Sequence, residues 1–140
     1  MLLESDQEIA ALLTSTRRIA LVGASARTER ASNRIFKFLL EQRYDVTPVN
    51  PVIAGQILHD VPVVESLGDI EDDIDMVDIF RNSADAGEVV DQAIATGAKS
   101  VWMQLGVINE PAARRAIDAG IKVVMDRCPK IEIPRLGLLK

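Results

Sequence analysis

An apolar run ends in Gly23-Ala24-Ser25, and Arg27, Arg30 and Arg34 follow before the next helical pattern begins. Those residue types in that order suit a phosphate. A glycine lets the anion approach the backbone, Ser25 offers a hydroxyl, and guanidinium groups give charge-assisted hydrogen bonds to a diphosphate. A helix starting near Ser32 adds unpaired N–H groups and the positive end of its dipole. The structural alternative is a turn glycine among solvated arginines; the position of the turn favours the phosphate reading.

Other residues invite chemistry and carry less of it. Cys128 lies between Arg127 and Pro129-Lys130, a cationic setting of the kind that activates thiols. No base is identifiable beside it, so a packing role is expected. Pro129 and Pro134 argue against a helix there, and the tail is expected to cross the surface in extended form with the thiol beneath it. His59, the one histidine, has no partner in sequence and reads as a surface residue. Glu71, Asp72, Asp73 and Asp75 read as a solvated turn, Asp126 as a residue that holds the tail, and Trp102 as core.

The elements that must position these residues follow from periodicity. Ile9, Leu12 and Leu13 recur at helical spacing behind Ser5, a good N-cap. Arg18 to Gly23 is the first strand. Ile35, Phe38, Leu39 and Gln42 mark a helix from Ser32 or Asn33, and Asp45 to Val49 a second strand ended by Pro51. Val61 to Val64 reads as a short third strand and Met76 to Phe80 as a clearer one. A helix from about Ala84 to Ala95 is closed by Gly97. Ser100 to Met103, Glu110 to Ala119 and Lys122 to Met125 then read as strand, helix and strand. Alternating strands and helices require crossovers, which predicts an α/β domain with a doubly wound parallel sheet. In such a sheet the first strand-to-helix turn is where a ligand phosphate sits.

Composition bounds the function. At 140 residues the chain is expected to be a single domain, on a prior of about 100 to 200 residues each. The 48% apolar and 26% charged content is globular. A net charge of −5 has the wrong sign for binding nucleic acid or anionic lipid. Eleven acids and one base lie between Asp60 and Asp91, so an anion site belongs outside that block or around Arg81. One Cys and one His exclude a disulfide framework and a multi-ligand zinc site, and a lone thiol fits the cytoplasm. The first fifteen residues lack a basic leader pattern, and no run approaches the roughly 18 apolar residues of a membrane span.

Two nucleotide motifs are absent. The dinucleotide fingerprint G-x-G-x-x-G has only its first glycine, with Ser25 and Thr28 in the other places, and Val49-Asn50-Pro51 brings no acidic residue for a ribose. The P-loop pattern does not occur.

Five segments together resemble the single-domain CoA-binding proteins, a family similar to the N-terminal CoA-binding domain of the succinyl-CoA synthetase alpha subunit. They are VGAS (Val22 to Ser25), PVNP (Pro48 to Pro51), VDIFRNS (Val77 to Ser83), WMQLGVINE (Trp102 to Glu110) and MDRCPKIE (Met125 to Glu132). The resemblance runs from Ile19 to Leu136. It implies a Rossmann-like domain holding CoA or an acyl-CoA at the carboxyl ends of its strands. The contacts would come from Gly23, Ala24, Ser25, Arg27, Arg30 and Ser32, from Val49 and Asn50, from Phe80 and Arg81, and from Gln104, Gly106 and Val107. The chain departs from the family pattern at Val52 and Gln56, where basic residues for the 3′-phosphate are common; Arg27 or Arg34 would have to substitute. The expected function is non-covalent binding of this small nucleotide ligand, alone, as a homo-oligomer or within a larger assembly. The alternatives are a CoA-dependent transferase or redox enzyme using Cys128, and a scaffold that senses adenine dinucleotides.

Overall fold

A computed structural model describes residues 1–140. Helix α1 (Asp6–Ser15) leads into strand β1 (Arg18–Val22), then α2 (Ala31–Glu41) and β2 (Asp45–Val49). A hairpin of β3 (Ile57–Leu58) and β4 (Val61–Pro62) and one 3-10 turn (Leu67–Asp69) precede β5 (Met76–Ile79). The chain continues through α3 (Ser83–Thr96), β6 (Ser100–Met103), α4 (Glu110–Asp118), β7 (Lys122–Val124) and α5 (Pro129–Arg135).

Five strands form a parallel sheet in the order β2-β1-β5-β6-β7, as the alternating pattern requires. Period-two alternation sends side chains to opposite faces. Ala20, Val22, Val77, Ile79, Val101, Met103 and Val123 pack with α3 and α4. Ile19, Leu21, Val46, Met76, Trp102 and Val124 face the other way, into a core shared with α1, α2 and α5. Both faces are covered, so the sheet is doubly wound. From β1 the chain moves to β2 on one side, then returns to β5 on the other. The carboxyl ends of β1 and β5 therefore mark the point where strand order reverses, the usual place for a ligand crevice.

The helix ends follow local rules in part. Ser5 and Glu8 form a capping box on α1, and Asn82 and Asn109 cap α3 and α4. Gly97 closes α3 in the left-handed conformation. Helix α2 differs from the expected start: Arg30 is its N-cap, while Ser32 and Asn33 lie inside the first turn and are buried. Phe36 fills the core where Phe38 was expected, and Phe38 is only partly buried.

Three further expectations are corrected. The third strand is a hairpin outside the main sheet, joined to it by one bridge between Val49 and Val64; Pro62 has no N–H to extend a ladder. The tail is helical from Pro129. Pro129 occupies the first turn, where a missing N–H costs nothing, and Pro134 removes only one bond from a seven-residue helix. Ion pairs repay that loss: Glu132 receives Arg127 at 2.8 Å and Arg135 at 3.0 Å, and Arg135 also grips Asp6 at 2.8 Å. Arg135 and Arg127 hold the Glu132 carboxyl below its ordinary range, outweighing desolvation. Finally, Asp75 is more than a solvated turn residue. Burial raises its pKa, but N–H bonds from Arg18 and Arg17 and a Lys99 contact at 3.2 Å outweigh that and leave it lowered.

Candidate functional site

Strand β1 ends at Gly23, whose φ of +93° suits a residue without a side chain. A Cβ there would come within 2.3 Å of the Phe80 carbonyl oxygen. Gly23 is thus required by the close approach of Phe80 at the end of the neighbouring β5, a stronger constraint than phosphate approach. The N–H groups of Gly23 and Ala24 both donate to the Val49 carbonyl, fixing the turn to β2.

Beyond Gly23 the backbone is held by side chains. Asn50 donates from Nδ2 to the Ala24 carbonyl at 2.8 Å, and Asn33 donates from Nδ2 to the Ser25 carbonyl at 2.8 Å. In a trans peptide the following N–H points opposite to its carbonyl, so these bonds orient the N–H groups of Ser25 and Ala26. Neither N–H has a partner within the protein, and neither do those of Ala31 and Ser32 at the start of α2. Helix α2 has no side-chain cap. Ser25, Ala26, Ala31 and Ser32 thus carry four backbone donors without an internal acceptor.

They open on a cleft of about 680 Å³ at the carboxyl ends of the strands. Gly23, Ala24, Ser25, Arg27, Arg30, Ser32, Asn50, Phe80, Arg81, Gln104 and Val107 line it, bringing together most of the residues singled out from sequence. Val49 and Gly106, also expected there, are not in the lining: Val49 is buried and supplies its carbonyl to the turn, while the Gly106 N–H is held by Asp126 at 2.7 Å. Asp126 therefore braces the β6–α4 loop instead of the tail. Ala26 and Leu105, within loops that the sequence already pointed to, also line it, while sequence reasoning missed Ala31, Ile35, Ile53 and Cys128 in the lining. Ile35 was findable, since it follows Ser32 by three positions and shares its helical face. Leu105 lies within the WMQLGVINE segment, and no pattern marked Ile53. Cys128 is buried, and lines the cleft instead of lying under an extended tail.

Charge in the cleft is graded. Arg27 is paired with Glu29 at 2.7 Å and Arg81 with Asp85 at 3.2 Å. Arg34 turns to the Glu29 carbonyl and does not reach the lining. Arg30 lines the cleft without an ion-pair partner in the protein, the least committed of these cations. The β2 side carries no cation: Val52 is exposed, and Gln56 follows Ile53 in the same loop. Gln104 is buried with its Oε1 unpartnered.

Two residues differ from their expected surroundings. His59 is partly buried, bonded to Asn33 at 3.0 Å, with its ring edge-on to Phe36. Asp78, one of the aspartates interleaved in an apolar strand, is fully buried with both carboxylate oxygens unpartnered, and burial pushes its pKa well up. Trp102 is core as expected and donates its indole N–H to the Arg127 carbonyl at 2.7 Å.

Known proteins place this geometry. An uncharacterized Bacillus subtilis protein, YneT, is 36% identical over 127 residues, covering 91% of this chain and 93% of its own. A solved structure of a hypothetical protein from Pyrococcus horikoshii superposes with a TM-score of 0.90 at 41% identity, over 95% of this chain and 92% of the other. A dinucleotide-forming acetyl-coenzyme A synthetase from Ca. Korarchaeum cryptofilum matches at a TM-score of 0.70 and 26% identity, over 78% of this chain and 25% of the synthetase. No helix is long and apolar enough to cross a membrane. The CoA binding domain family matches residues 17–134, spanning every strand and both walls of the cleft, and the chain belongs to that family.

Proposed function

We propose that the protein binds CoA or an acyl-CoA non-covalently in this cleft, with the diphosphate against the Ser25-Ala26 turn and the start of α2. One observation carries the reading. The N–H groups of Ser25, Ala26, Ala31 and Ser32 lack internal partners beside an Arg30 that forms no ion pair, in a member of a CoA-binding family. Unpaired backbone donors at an uncapped helix start favour an anion, and guanidinium adds a charge-assisted bond. The apolar lining of Ile35, Ile53, Phe80, Leu105 and Val107 suits the remainder of a long ligand. Calorimetric titration with CoA tests it: micromolar or tighter binding by the native protein, weakened in Arg30→Ala, is the expected result, and absence of binding refutes it.

A second reading has its own observation. Cys128 lines the cleft, which places a thiol in reach of a bound ligand and favours a CoA-dependent transferase or redox enzyme. Catalysis needs a nucleophile and a base within hydrogen-bond reach; Cys128 has no hydrogen-bonded base beside it. Turnover of a CoA thioester or CoA disulfide that vanishes in Cys128→Ser would establish that reading over simple binding.

A further inference from the structure

Asn33 is buried, and both ends of its amide are committed. Its Nδ2 donates to the Ser25 carbonyl at 2.8 Å, so its Oδ1 must be the acceptor facing His59 Nε2 at 3.0 Å. His59 therefore carries a proton on Nε2 and donates it. The ring is kept in that orientation by Phe36, edge-on with centroids 5.4 Å apart. His59 comes from the β3–β4 turn, where it and Asp60 adopt φ of +48° and +68°. Glycine would relax that turn but could not supply the N–H. The chain between β2 and this turn includes Asn50 and Ile53, which line the cleft together with residues of α2.

We propose that His59 is a positioning residue for the ligand loop: through Asn33 it fixes the Ser25 carbonyl, aims the Ala26 N–H, and ties the β3–β4 hairpin to α2. The inference rests on the binding reading above. Removing the imidazole leaves the buried Asn33 oxygen unpaired and frees the amide to turn away from Ser25. Glutamine can place an Nε2 donor near the imidazole position, so it keeps the bond without the ring.

The test is CoA affinity by calorimetry for the native protein, His59→Ala and His59→Gln, with amide hydrogen exchange of residues 24–27 in each ligand-free protein. His59→Ala should bind about five- to tenfold more weakly, the effect expected of one buried acceptor left unpaired. His59→Gln should return to within about twofold of the native protein, which general loosening of the hairpin would not do. Exchange at Ala24 and Arg27, whose N–H groups are bonded to the Val49 carbonyl and the Ser25 hydroxyl, should quicken in the alanine variant and recover in the glutamine variant. Native-like affinity in His59→Ala, or equal weakness in both variants, overturns the proposal. Should the native protein fail to bind CoA, the binding reading falls by itself. Loop exchange then decides the positioning role: faster exchange in His59→Ala with recovery in His59→Gln supports it, and unchanged exchange overturns it.

Discussion

Replacing Asp78 by Val should make the protein more stable. Asp78 sits in the middle of β5, in register with Leu21 on one side and Trp102 on the other, fully buried with neither oxygen bonded. A buried polar group without a partner costs about 1 to 3 kcal/mol. Valine is close to aspartate in size, prefers strands, and leaves nothing unsatisfied. In a domain of this size each kcal/mol moves Tm by roughly 3 to 4 °C, so a rise of several degrees is expected. The pH dependence follows from the raised pKa. Folded Asp78 keeps a proton that the unfolded chain releases above about pH 3.9. The folded state thus binds more protons, and native stability falls as pH rises from about 4 through the folded pKa, by up to about 1.4 kcal/mol per unit. The variant lacks that slope, so its advantage should grow with pH. Urea denaturation of both proteins at pH 5 and pH 8 measures it. A variant less stable than the native protein at pH 8, or an advantage that does not increase, would refute the reasoning.

Arg30→Ala should weaken CoA binding by about 1.5 to 3 kcal/mol, the range for a hydrogen bond to a charged group, with unchanged Tm because the Arg30 side chain has no internal partner; calorimetry and a melting curve check both. Gly23→Val is no substitute for that test, because its Cβ would strike the Phe80 carbonyl and disturb the fold itself. Cys128→Ser should bind CoA normally; loss of binding at unchanged thermal stability would support the thiol-dependent reading. With no cation on the β2 side of the cleft and Arg34 turned to the Glu29 carbonyl, CoA and dephospho-CoA should bind within about threefold of each other, and Val52→Lys should favour CoA. Parallel titrations at low and moderate salt measure that ratio, and a native preference above about thirtyfold contradicts the account.

The parts of the fold legible in the sequence were those written in local pattern. Apolar runs such as Arg18 to Val22 and Met76 to Ile79 became central strands, Ser5 capped α1, and Gly97 closed α3. Topology then located the crevice, because a doubly wound sheet binds its ligand where strand order reverses, here between β1 and β5. What stayed hidden depends on contacts distant in sequence. Asn33 and His59 are 26 residues apart, and nothing near His59 announces that a buried amide will need its proton. Local propensity also misled at Ser32 and Asn33: both are good caps, yet both are buried in the first turn of α2, and Asn33 bonds the Ser25 carbonyl instead. The prolines of α5 were read as breakers because the ion pairs that stabilise it join Glu132 and Arg135 to Arg127 and to Asp6, at the other end of the chain.

The central claim is that CoA lies with its diphosphate on the Ser25-Ala26 turn and the start of α2. Titrating CoA into isotopically labelled protein and following backbone amide shifts tests it most directly. The account predicts saturable shifts that are largest at Ser25, Ala26, Ala31 and Ser32, since those N–H groups gain an acceptor they now lack. Shifts centred elsewhere, such as the opposite end of the sheet around Lys99 and Lys122, or none at saturating CoA, would contradict it.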